Sequence, residues 1–75
     1  MKWQYIIMRH TEGVAVYYRI HEIYDIDNPK EITWSETAET PFGDTAEELK
    51  SSLRMMLKDI SKAPVLDYET GKKVK

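Results

Sequence analysis

The sequence predicts an α+β domain, an antiparallel three-stranded β-meander packed on one C-terminal α-helix in the order β-β-β-α. Three observations carry that expectation. Apolar residues fall at helical spacing within residues 43–62. Residues 3–26 alternate and are rich in aromatic and β-branched side chains. Turn residues punctuate the chain at Gly13 and at Asp27-Asn28-Pro29-Lys30.

The helix is the most clearly declared element. Ala46, Leu49, Leu53, Met56, Leu57 and Ile60 form one apolar stripe, with Glu47, Glu48, Lys50, Ser51, Arg54, Lys58 and Asp59 mostly off it. Thr45 followed by Glu48 is a capping box, in which the hydroxyl and the carboxylate each satisfy a free backbone N–H. Asp44 competes for the cap and suits the positive helix end. Pro64 stops the helix, and Lys58 and Lys62 suit its negative end. The Met55-Met56 pair reads as core filling.

Trp3 to Thr11 is the first expected strand and Val14 to Ile26 the second, joined by a two-residue turn at Glu12-Gly13. That turn sets Thr11 opposite Val14, Ile7 opposite Tyr18 and Tyr5 opposite Ile20. One face then carries Trp3, Tyr5, Ile7, Val14, Val16, Tyr18 and Ile20. It is nearly all apolar, so the helix is expected to cover it. The other face is mixed. Glu31 to Glu39 is the third expected strand, in one of two registers. A five-residue loop sets Ile32 and Trp34 with Tyr24 and Ile26, and a four-residue loop sets them with His21 and Ile23. Burial favours the first. Thr40-Pro41-Phe42 crosses to the helix, and Pro64-Val65-Leu66 leaves it extended. Residues 1–67 are expected as one domain, with 68–75 as a polar, flexible tail.

At 75 residues the chain has room for one domain whose core contributes only about 3–5 kcal/mol net. It has no cysteine, which removes disulfides and thiol chemistry. Dimerisation is the readiest further source of stability. A formal net charge of −2 argues against nucleic acid and anionic membranes as partners. Aromatics interleaved with Arg9 and Arg19 could stack bases, but most of them fall on the expected core face. No signal-like leader opens the sequence and no long apolar run spans a bilayer, so a cytoplasmic location is expected.

No constellation for catalysis stands out. His10 and His21 face the same way, but the expected register holds them about six strand positions apart, roughly 20 Å, too far to share a ligand. Gly43-Asp44-Thr45 lacks the lysine of a phosphate loop. Glu36, Glu39, Asp44, Glu47 and Glu48 gather near the helix start, where they read as capping and dipole pairing. The chain is therefore expected to be non-enzymatic, with no cofactor and no metal. It is expected to bind a protein partner or itself, as a homodimer, through the sheet face opposite the helix. The residues of that face are Ile6, Met8, His10, Tyr17, Arg19, His21 and Ile23, a mixture typical of interfaces.

Trp3-Gln4-Tyr5, Arg9-His10, Ile20-His21-Glu22-Ile23-Tyr24, Thr33-Trp34-Ser35-Glu36, Gly43-Asp44-Thr45, Glu47-Glu48-Leu49 and Pro64-Val65-Leu66 together resemble a family of short, uncharacterised bacterial proteins. The resemblance covers residues 3–67 and implies a shared fold without an activity. Residues 4–60, with three strands before Gly43-Asp44-Thr45 and Glu47-Glu48 opening a helix, are more loosely similar to the HicB-like antitoxin domain. That likeness implies a regulator, antitoxin-like or phage-related, that binds a small toxin or another protein partner.

Overall fold

The computed structural model describes residues 2–74. Met1 and Lys75, the first residue of the expected domain and the last of the expected tail, lie outside the described residues. The chain is α+β: β1 spans Trp3–Glu12, β2 Ala15–Tyr24, β3 Thr33–Trp34, α1 Ala46–Ile60 and β4 Leu66–Asp67. The sheet order is β3-β2-β1-β4. β2 pairs antiparallel with β1 and with β3, but the expected three-stranded antiparallel meander is not matched as such: the third strand, expected from Glu31 to Glu39, is two residues long, and the sheet is four-stranded and mixed, because β4 adds parallel to the free side of β1.

The hairpin turn is Gly13-Val14, one residue later than expected, with Glu12 paired to Ala15. Gly13 takes a positive φ of 60° while Val14 does not. A glycine leading the turn is the only residue that must turn left-handed. The expected Glu12-Gly13 turn would have asked the same of a glutamate. The pairing moves by two residues, so Thr11 faces Val16 and Ile7 faces Ile20. Side chains alternate with period two, so the two face sets survive this shift unchanged.

Their burial is the reverse of the expectation. Ile6, Met8, His21 and Ile23, on the mixed face, have no exposed surface. Leu66 packs on them, and Ile26, Ile32, Trp34, Ala63 and Tyr68 complete the cover. Trp34 pairs with Ile23, so β3 takes the four-residue-loop register that burial alone had disfavoured. The backbone continues beside β2 beyond β3, with Ser35 N–H donating to Glu22 O and Glu39 N–H to Ile20 O. The two-residue offset between these bonds marks a bulge.

The C-terminal residues supply the cover. Val65 to Val74 fold back as a hairpin: Val74 N–H donates to Val65 O, and Asp67 N–H to Lys72 O. The Asp67 Oδ1 accepts from the N–H groups of Glu69 and Thr70. Gly71, at φ 73°, seats its backbone against the Trp34 ring. These bonds stand where the polar composition predicts a frayed tail.

Helix α1 lies on the other face. Thr45 Oγ1 accepts from Glu48 N–H, and the Glu48 carboxylate accepts from Asp44 N–H. Met56 is the helix residue that is buried. Asp59 accepts a hydrogen bond from Tyr5 N–H at 3.0 Å, closing a backbone donor that β4 is too short to reach. Ile60 shares a groove with Ile7, Tyr18 and Ile20.

Candidate functional site

The densest polar cluster lies under the C-terminal hairpin. His21 is opposite Ile6, and His10 opposite Tyr17, so four strand positions separate them rather than six. That is about 13 Å along the sheet, a gap two imidazoles leaning together can span. Their Nε2 atoms meet at 2.8 Å. The ring centroids stand 5.0 Å apart with 26° between planes, the geometry of rings meeting nitrogen to nitrogen. The expected separation is thus corrected: the later turn removed two positions and the side chains closed the rest.

The hydrogen bonds fix the tautomers. His21 Nδ1 lies 3.0 Å from Ser35 O and 3.2 Å from Ser35 Oγ. A carbonyl only accepts, so Nδ1 carries hydrogen and, in the neutral ring, Nε2 is the acceptor. His10 Nε2–H therefore donates to His21 Nε2. Ser35 is held in turn: Oγ accepts from Glu22 N–H and donates to Thr37 O. His10 stacks on Tyr68 at 4.3 Å and on Tyr17 at 5.0 Å. The Tyr68 hydroxyl donates to Glu36 O and the Tyr17 hydroxyl to Glu12.

Burial lowers the pKa of His21. The Ser35 carbonyl pulls the other way, and the positive charges of His10 and Arg19 add to the lowering. The hydrogen bond to Glu12 raises the Tyr17 phenol. Asp67 lies below the usual carboxylate range: burial pushes it up, but Arg9 at 3.3 Å and the two turn N–H groups more than offset that. Among the described residues, no three His, Asp or Glu side chains converge on a metal position.

The seven residues of the expected interaction face therefore divide. Ile6, Met8, His21 and Ile23 are core and touch no outside molecule in this fold. His10 and Tyr17 are half-buried, and Arg19 is exposed. The cluster takes in Ser35 and Tyr68, which sequence reasoning missed. Ser35 sits at a bulge that leaves no sequence signal, and Tyr68 lies in residues whose composition suggests fraying.

The surface left open is the one beside the helix. Leu49, Leu53 and Leu57 recur every four residues as one ridge, with exposures of 39%, 48% and 63%. Ile60 joins this ridge to Tyr18, which is 56% exposed, and Val16 follows on the same sheet face. Trp3 and Phe42 are exposed as well. The helix packs over β1 and meets β2 only at the groove of Ile60, so Trp3, Val14, Val16 and Tyr18 of the apolar face expected to be core are exposed. Comparison with family models, with curated proteins and with solved structures finds no match for this chain.

Proposed function

We propose that this chain is a non-enzymatic, self-associating module, two copies meeting through the helix-side face. The observation that carries the reading is area. Monomer scaling gives roughly 4,800 Å² for 8.8 kDa, whereas the chain exposes 5721 Å², an excess of about 900 Å². A standard interface buries about 800 Å² from each partner. The shape agrees: the radius of gyration is 13.0 Å, against roughly 11 Å for a compact chain of this length. A net charge of −2 adds little self-repulsion.

Helix charge favours a second copy in antiparallel orientation. Glu47 and Glu48 lie in the first turn and Lys58 in the last. A two-fold axis at Leu53 sets Leu49 of one copy against Leu57 of the other. It also brings each acidic helix end to a basic one. A parallel pair would oppose like charges. The interaction surface thus moves from the sheet face opposite the helix, which is core, to the helix side.

Light scattering over a concentration series tests this. The expected result is a dimer that Leu53→Glu weakens more than tenfold, since the change strikes the interface twice, with the circular dichroism unchanged. The paired charge swap Glu47→Lys with Lys58→Glu is expected to dimerise better than either single change. A wild-type chain that stays monomeric at every concentration would overturn self-association and pass the surface to a partner of different sequence, such as the target of an antitoxin-like regulator.

A further inference from the structure

We propose that His10 and His21 form a proton-limited clasp that fastens the C-terminal hairpin over the sheet and opens when both rings become charged. The two Nε2 atoms meet at 2.8 Å. The neutral pair needs one hydrogen between them, supplied by His10. A hydrogen added at Nδ1 of His10, on the far side of that ring, leaves the bond intact and charge-assisted. A second proton has no such place. Ser35 already holds hydrogen on His21 Nδ1, so the proton must enter at His21 Nε2, where two N–H groups would then face each other with no acceptor between them.

The surroundings do not relieve that state. On β1 the nearest carboxylate, Glu12, is engaged by the Tyr17 hydroxyl. β2 presents Tyr17 and the positive Arg19, and the segment after β3 meets His21 through the two neutral oxygens of Ser35. The hairpin presents Tyr68, whose hydroxyl is committed to Glu36 O. Neither imidazole is hydrogen-bonded to a carboxylate among the described residues. Double charging therefore drives the His10 ring away from His21, and Tyr68 stacks on that ring. Tyr68 also donates its backbone N–H to Arg9 O, beside β4. Loosening it lifts the hairpin from Ile6, Met8 and Ile23, the apolar face it covers.

The test uses the full chain labelled with ¹⁵N. Ring spectra at neutral pH are expected to show hydrogen on His21 Nδ1 and a coupling between the two Nε2 nitrogens across the shared hydrogen. On acidification the coupling is expected to survive the first added proton. The coupling is then lost together with amide-exchange protection of residues 65–74. Below that point the hairpin's opening constant, corrected for intrinsic exchange, is expected to rise about tenfold per pH unit, because the open form binds one more proton. In His21→Phe the opening constant is expected to stay flat. An imidazolium His21 beneath a still-protected hairpin would overturn the proposal. So would the absence of Nε2–Nε2 coupling, and both are read in the wild-type chain whether or not the variant folds.

Discussion

Replacing Gly71 by alanine is expected to cost far more than the same change at Gly13, and the difference measures the docking of the C-terminal hairpin. Both glycines hold positive φ, 60° at Gly13 and 73° at Gly71, so each Ala carries the left-handed penalty of about 1–2 kcal/mol. At Gly13 a new Cβ meets no atom within 4 Å, and the cost stops there. At Gly71 it would lie 2.5 Å from Cζ3 and 2.6 Å from Cη2 of Trp34. Both are rigid indole carbons, and the ring is wedged between Ile23 and the hairpin. Overpacking of that kind adds about 1–3 kcal/mol, for a total of about 2–5 kcal/mol. Against roughly 3–5 kcal/mol for a core of this size, Gly71→Ala removes most of the stability and Gly13→Ala a minor part. Urea unfolding followed by circular dichroism at one fixed protein concentration gives both midpoints. Combining Gly71→Ala with Trp34→Leu is expected to recover the steric share in a double-mutant cycle and leave the φ share. Equal costs at Gly71 and Gly13 would refute the reasoning, because they would mean that no ring stands behind Gly71.

Other perturbations test separate joints. Leu66→Ala, at a side chain 4% exposed, is expected to cost about 2–5 kcal/mol and to bring the chain near its unfolding point at room temperature, read by the urea midpoint. Thr45→Ala removes the hydroxyl that accepts from Glu48 N–H and is expected to cost about 1 kcal/mol on the same scale. The pKa of His21 is lowered on folding, so the unfolded chain binds the proton more readily. Stability is expected to be full above the unfolded value of about 6.5 and to fall as pH drops below it, a slope that His21→Phe abolishes. Asp67 is also lowered, so Asp67→Asn is expected to destabilise at neutral pH. The gap from wild type closes as acid protonates the native carboxyl, below about pH 4. Thermal unfolding at several pH values reads both.

The sequence declared what local chemistry decides. Helix spacing, the Thr45 cap, the strand pair and the division of β1 and β2 into two faces could all be read from periodicity and from Gly13. Which face is buried could not, because long-range partners decide it. Counting apolar residues favoured the face of Trp3, Tyr18 and Val16, all of them exposed. The mixed face is buried because Leu66, Tyr68 and Trp34 arrive from elsewhere in the chain, and because His21, its most polar interior member, finds Ser35 and His10 as partners. The His10–His21 contact was hidden by one residue in the turn position. A shift that leaves side-chain alternation untouched still moves cross-strand neighbours by a whole pair. Pro64 marked the end of the helix, but nothing local announced that the residues after it would pair with β1.

The parallel seam between Met8 and Leu66 also sets a timetable for the chain as it is made. The β1–β2 hairpin leaves the ribosome ahead of residues 65–74 and can zip on its own, yet Ile6, Met8 and Ile23 stay wet until those residues have been synthesised and folded back. A nascent chain halted anywhere before Leu66 carries a sticky half-sheet with one long open edge, and a premature stop there yields an aggregation-prone fragment rather than a shortened domain. Contacts this distant in sequence also close slowly for so small a fold, so residues 65–74 govern both when this domain finishes folding and how long the unfinished chain needs protection.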